Sequence, residues 1–398
     1  MKLPISSRRR LILFPVCHFW CSVIFWSVFL HLPVYLEDMG ICGNANGFVI
    51  ALFSLTAIMM AAPLGWLSDR LSPRYLCLLG NVLLIVYLLG LRGASTYWAV
   101  IAMAFVGGVG SLVYQLPLSS LYLKLIHSQT RGQRIGWFLL GVFFGYAVGG
   151  FFGGVFLQRY SMESLLLVDA ALCVPLLLLT WFLQDSEPIP FHLSLYGKDL
   201  WRKEVLLLLL FVVAFGIHAG CERATITLFM KRTIELERFE IAFVFLIAGS
   251  WLAVNALFMG FVFDRYRNAY LLIVGGLSIS GVTLLLTPIV VRGFRSMILL
   301  RCVHTFGDAL IIFGQVAVVS LIFRRARVGG NFGVQRLVQE LATFSGAYIS
   351  GVLIESYDYG MAFIISGAFV LAVAAFLMFQ RPIFRRMDVG RGGDDEVL

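Results

Sequence analysis

Long apolar stretches separated by short polar segments run the length of this chain. Twelve of them reach the roughly 20 apolar residues that a helix needs to cross the hydrocarbon core of a bilayer. They fall at approximately 11–36, 46–68, 75–92, 97–124, 135–158, 163–183, 205–230, 241–262, 269–291, 296–323, 332–354 and 359–380. The longest polar interruption, Gln184–Glu204, holds Pro188 and Pro190 and divides six spans from six. The pattern predicts an all-α integral membrane protein of two similar six-helix halves. Residues 1–183 form the first, 184–204 the linker, 205–380 the second and 381–398 a tail.

Composition agrees. Of 398 residues, 60% are hydrophobic and 13% are charged, against roughly 25% charged in an average soluble domain. Lipid must be the solvent for much of this surface. The net charge of +9 is an orientation signal with no bearing on nucleic acid. With the N-terminus in the cytoplasm, 21 of the 31 Lys and Arg lie in cytoplasmic segments, among them Arg8, Arg9 and Arg10, and 7 lie outside. The positive-inside rule then places both termini in the cytoplasm. The run after Arg10 is too long for a secretory signal core. The seven cysteines (17, 21, 42, 77, 173, 221 and 302) sit mostly inside apolar runs and read as small core residues. His192 stands alone in a loop. No metal-ligand spacing and no cofactor motif is found.

Two loops match. Gly65-Trp66-Leu67-Ser68-Asp69-Arg70 and Gly260-Phe261-Val262-Phe263-Asp264-Arg265 lie 195 residues apart, each after the second span of its half. Internal duplication of this kind points to a secondary transporter with its solute site between the halves. The first loop continues Leu71-Ser72-Pro73-Arg74. The whole resembles the major facilitator superfamily, whose signature here is Gly-x-Leu-x-Asp-Arg-x-Gly-Arg-Arg. Gly65, Leu67, Asp69, Arg70 and Arg74 match, while Ser72 and Pro73 depart. The second copy keeps Gly260, Asp264 and Arg265. The resemblance implies a cytoplasmic latch, with Asp69 facing a helix N-terminus and paired with arginine. A solvated basic loop is the plainer reading, and the two are closer for Asp264.

The fifth span carries Gly136, Gly141, Gly145, Gly149, Gly150, Gly153 and Gly154, most along one ridge suited to close helix packing. Antiporters of the family show Gly-Pro-x-x-Gly-Gly here. This chain reads Gly145-Tyr146-Ala147-Val148-Gly149-Gly150, and the missing proline counts against an antiporter. The eleventh span has Gly346 and Gly351 in the corresponding region.

Ionisable groups at membrane depth are costly and mark candidate sites. Span 7 has His218, Glu222 and Arg223; span 10 has Arg301, His304, Asp308 and Gln315; span 11 has Arg336, Gln339 and Glu340. At about 100° per residue, positions 301, 304, 308 and 315 share a stripe about 60° wide and roughly 21 Å long. In the family, spans 1, 4, 7 and 10 line a central cavity. The resemblance thus implies that Glu222, Arg223, Arg301, His304, Asp308, Gln315, Arg336 and Glu340 bind solute or carry protons. Carboxylates, an Arg and a His in the second half look like proton symporters of the sugar-permease type. If the distance of Asp308 or Glu340 from Arg301 or Arg336 changed with conformation, proton affinity would change and couple protons to transport. Buried ion pairs that fix helix register are the alternative. His18 and His31 read as lining or interfacial residues, and Asp169 as a snorkelling one. Trp20, Trp26, Tyr114 and Trp137 either stack on a ring of the solute or pack.

The expectation is a monomeric, multi-pass transporter in a cell membrane (bacterial inner or plasma). It moves a small organic solute, a sugar, carboxylate or similar, by alternating access with proton symport. Proton-coupled export of drugs or metabolites, and a transport-dead receptor, are the alternatives. No nucleophile–base pair supports an enzyme.

Overall fold

The computed structural model describes residues 11–41, 43–126, 130–186 and 193–389. Arg8, Arg9, Arg10, Cys42, Pro188, Pro190, His192 and the tail from 390 onward lie outside these. Twelve helices are long and apolar enough to cross a membrane. They are α1 (Leu13–Asp38), α2 (Ala45–Arg70), α3 (Pro73–Arg92), α4 (Tyr97–Leu125), α5 (Arg131–Phe156), α6 (Met162–Trp181), α7 (Lys203–Thr233), α8 (Phe239–Tyr266), α9 (Ala269–Val290), α10 (Phe294–Ile322), α11 (Arg325–Ser356) and α12 (Tyr359–Met378). No strand occurs among the described residues. Eleven helices fall within a few residues of their predicted spans. The exception is α11, which starts seven residues early.

The early start has a physical cause. Residues 325–331 are polar and glycine-rich, with little apolar signal; Arg325–Arg327 form a 3-10 turn, and the first amides of the α-helix that begins at Val328 find an acceptor. Asp69 Oδ1 accepts from Gly329 N at 3.2 Å and Oδ2 from Gly330 N at 2.7 Å. A helix N-terminus leaves four amides unpaired, and a carboxylate there satisfies them and favours their dipole.

The chain divides into two compact units. One comprises 1–126, 141–192 and 326–337; the other comprises 127–140, 193–325 and 338–398. In the first, a glycine ridge on α5 meets the backbone of α1. A Cβ at Gly141, Gly145, Gly149 or Gly153 would come under 3.0 Å from the carbonyl oxygens of Pro15, Phe19, Val23 and Ser27 respectively. Both series step by four residues, so two helix ridges run in contact with no side chain between them. In the second unit α7 and α11 meet the same way: Cβ atoms at Gly220 and Gly346 would strike the carbonyls of Thr343 and Ile217. Gly351, by contrast, has no atom within 4 Å of its Cβ position.

Asp169 does not snorkel. It is fully buried and accepts from Ser27 Oγ at 2.6 Å. Burial on a tightly packed helix gives its short side chain no route to a surface. Tyr114 is also core, with its hydroxyl 2.9 Å from Thr180 Oγ1. It packs and does not stack on a solute. Cys17, Cys21, Cys77, Cys173 and Cys221 are buried free thiols, as their apolar context implied.

The end of α7 widens into a π turn over Phe229–Thr233, with Ile234 N donating to Phe229 O at 3.2 Å. After α12, a short helix at Arg381–Val389 buries Phe384 and Met387 in the second unit. Its Asp388 accepts from Ala269 N at 2.8 Å and so caps α9. Burial pushes the Asp388 carboxyl up from its ordinary range, and that amide bond pulls it back.

The glycine contacts predict a contrast. Gly149→Ala forces α5 from α1 and costs about 1–3 kcal/mol. Gly351→Ala leaves stability unchanged or raises it by up to about 1 kcal/mol. Thermal unfolding of the two variants in detergent checks both.

Candidate functional site

Two sites are built from the residues singled out by the sequence. The first is the repeated Gly–Asp loop. Asp69 is buried and, besides its two amides, holds Lys124 Nζ at 2.7 Å. Lys124 reaches the carboxylate because α4 ends beside α2. Lys124 also donates to Ser68 O at 3.2 Å. Gly65 lets the clamp close: its Cβ would lie 2.9 Å from Gly333 Cα.

The second copy repeats this geometry on α5. Asp264 Oδ1 accepts from Gly132 N at 2.7 Å and Oδ2 from Gln133 N at 2.9 Å. A Cβ at Gly260 would lie 2.5 Å from Gly132 O. So the plainer reading of Asp264 as a solvated loop residue does not describe its contacts. Arg70 and Arg265 are exposed, the latter 5.6 Å from the Tyr266 ring centroid. Arg74 turns to Asp185 at 3.9 Å and lies over Trp181 at 5.9 Å.

The other site is a buried ionic cluster in the second unit, between α7, α9 and α10. Helical spacing sets it up: His218 and Glu222 are one turn apart on α7, and Arg301, His304 and Asp308 share one face of α10. Glu222 pairs with Arg301 through Oε1. Its Oε2 lies 3.3 Å from His304 Nε2 and 3.6 Å from His218 Nε2. Asp308 Oδ1 lies 3.3 Å from His218 Nε2, and Oδ2 lies 3.3 Å from His304 Nε2. From α9, Ser280 Oγ donates to Asp308 Oδ1 at 2.6 Å, and Thr283 Oγ1 lies 2.8 Å from His304 Nδ1. The His218 and His304 rings stand 5.0 Å apart, nearly edge-on. The histidines are 1% and 2% exposed and Asp308 is 7%, so water does not screen these charges.

The expected partnership of Asp308 with arginine is not what forms. Arg301 goes to Glu222, and Asp308 is held by two imidazoles and a hydroxyl. Gln315, lower on the stripe, donates to Gln339 Oε1 at 2.9 Å. Glu340 is buried and Arg336 half-buried; Arg336 sits near enough to His18 to act on it electrostatically. Arg223 is exposed and stands apart from the cluster. Ser280 and Thr283 were not anticipated; they are two uncharged hydroxyls on a helix that also carries Ser278 and Thr287. The sequence reading found no metal-ligand group, yet His218, Glu222, His304 and Asp308 bring one ligand atom each within 4.8 Å of one another. Spacing motifs miss them because they come in pairs from two helices 82 or more residues apart.

The chain matches the profile of the Major Facilitator Superfamily over residues 14–293 and again over 224–393. It belongs to that superfamily. Its members are transporters and not enzymes, and this multi-pass chain is one of them. A multi-drug resistance efflux pump PmrA homolog of Lactococcus lactis is 21% identical over 96% of this chain and 98% of its own length. The multidrug resistance protein MdtG of Salmonella heidelberg is 24% identical over 94% and 96%. The quinolone resistance protein NorA of Staphylococcus aureus is 21% identical over 87% and 90%. Among solved structures, the human organic anion transporter MFSD10 superposes with a TM-score of 0.77 over 93% of this chain and 99% of that one, at 16% identity. That likeness concerns the superfamily fold alone.

Buried pairing makes a sharp prediction. Arg301→Met leaves the Glu222 carboxylate without its guanidinium and costs about 3–5 kcal/mol. The double variant Arg301→Met/Glu222→Gln loses much less. A double-mutant cycle by thermal unfolding measures the difference.

Proposed function

We propose that this transporter exports small amphipathic organic solutes by alternating access, in exchange for protons. The observation that carries the reading is an enclosed ionic cluster in a chain related end to end to efflux proteins. Arg301 keeps its proton, so it contributes a fixed positive charge beside two carboxylates and two imidazoles. Gain or loss of one proton changes the cluster's charge by one at a depth where charge is expensive. An arrangement that must rebalance whenever its surroundings open or close is what coupling requires.

In this reading Glu222, His304 and Asp308 carry the proton against the fixed charge of Arg301, with His218 beside them. Gln315, Glu340, Arg336 and Arg223 contact solute. Asp69 and Asp264, with Gly65 and Gly260, hold one conformation by clamping the starts of α11 and α5, and Arg70, Arg74 and Arg265 serve the same face. The protein works as a monomer in a cell membrane with both termini in the cytoplasm, as the 21 to 7 partition of basic residues supports.

Export replaces symport as the preferred direction because the efflux relatives span both halves. The missing family proline weighs less than the sequence suggested. Tyr146, in its place, packs edge-on to Trp26 at 4.8 Å, while Gly145 and Gly149 keep their backbone contacts.

Proteoliposomes with an imposed pH gradient test this, with a fluoroquinolone and a cationic dye as probes. An acidic lumen should drive probe inward by exchange. Accumulation driven only by an acidic exterior would mark symport instead, and no response to either gradient would remove proton coupling. Asp308→Asn should abolish gradient-driven accumulation and retain solute–solute exchange.

A further inference from the structure

We propose that His218, Glu222, His304 and Asp308 form a four-coordinate site for a divalent transition cation, with Zn2+ as its probe. The assignment goes beyond the export reading and does not need it. It rests on how four ligand atoms are placed.

Take the edges first. His218 Nε2 to Asp308 Oδ1, His304 Nε2 to Asp308 Oδ2 and His304 Nε2 to Glu222 Oε2 are each 3.3 Å, and His218 Nε2 to Glu222 Oε2 is 3.6 Å. A tetrahedral Zn2+ with bonds of about 2.0–2.2 Å has ligand–ligand edges of about 3.3–3.6 Å. Each histidine thus meets both carboxylates at that spacing, with one Asp308 oxygen toward each ring, and one ligand atom from each residue lies within 4.8 Å of the other three, so a small turn of the Asp308 carboxylate closes the set on one ion. Two imidazoles with two carboxylates is also a donor set that such ions accept.

Hydrogen bonds account for the arrangement poorly. His304 Nε2 can carry one hydrogen, yet it stands equally far from oxygens of two different carboxylates. His218 is more telling. It is 1% exposed, and neither of its ring nitrogens makes a hydrogen bond of acceptable geometry among the described residues. Its Nε2 meets both carboxylates at 3.3–3.6 Å without a well-directed hydrogen bond, and that needs an explanation. An ion between Nε2 and the carboxylates supplies one for that nitrogen.

The surroundings suit a metal too. Thr283 Oγ1 at His304 Nδ1 fixes the ring so that Nε2 presents its lone pair inward, the role that outer hydrogen bonds play for metal-bound histidine. Ser280 Oγ orients Asp308 in the same way. Arg301 occupies only Oε1 of Glu222 and leaves Oε2 for the ion. The Phe215 ring, 5.6 Å from that of His218, closes one side with apolar surface.

The test uses the purified full-length chain in detergent, with any affinity tag removed, and needs neither solute nor gradient. Calorimetric titration with ZnCl2 should give one ion per chain. His218→Gln and Asp308→Asn should abolish binding. Thr283→Val, which keeps all four ligands and its own shape, should weaken binding about 10–100-fold. It keeps the proposal testable if a ligand variant does not fold. Co2+ should give the intense visible absorption of a four-coordinate ion.

Absence of Zn2+ binding, or binding unchanged in His218→Gln and Thr283→Val, overturns the proposal. So does a pale six-coordinate Co2+ spectrum, or a thiolate charge-transfer band placing the ion at a cysteine. Ion and coupling proton would compete for the same side chains, and because binding is read without transport, the metal result and the transport result are scored separately.

Discussion

Every charge that this chain carries into the membrane must be answered inside the protein. With water and its screening absent, an unpaired ion in the interior is worth more than most packing gains, so the sequence can hold very few. Its solutions fall into two kinds. Asp69 and Asp264 are answered mainly by helix amides, which are fixed and cannot leave. Glu222 and Asp308 are answered by side chains on neighbouring helices. The first kind builds a clamp; the second builds a group of charges whose balance depends on helix position.

Repetition marks the first kind. One Gly–Asp pair, repeated 195 residues later, caps α11 in one copy and α5 in the other. The flanking sequences differ, and among the described residues a lysine, Lys124, joins the clamp at Asp69. What stayed is the part with no chemical substitute. A glycine permits the approach, and a short carboxylate reaches two successive amides.

Much of the architecture was readable from composition because length and apolarity alone define a membrane helix. The stripe on α10 was readable because 3.6 residues per turn puts 301, 304 and 308 on one face. What escaped was pairing. Periodicity says which face a residue occupies but not which helix lies opposite, so Asp308 or Glu340 was set against Arg301 or Arg336, and Glu222 was not matched to Arg301. The hydroxyls of Ser280 and Thr283 carry no charge and raised no signal. Asp169 sits near an end of its span, and depth could not be judged without knowing how tightly α1 covers it. The start of α11 was missed because its stability comes from a carboxylate some 260 residues earlier in the chain.

The widened turn at Phe229–Thr233 bears on how this helix can vary. A π turn holds one residue more than an α turn, so it acts as slack. Deleting one residue there relaxes the backbone to ordinary α geometry and leaves everything upstream in place, His218 and Glu222 included. Deleting one residue between the linker and His218 would instead rotate the pair by about 100° relative to the preceding turns. Length changes in α7 are therefore tolerable only beyond Glu222, which makes this turn the natural point for related chains to differ in loop length without disturbing the charges behind it.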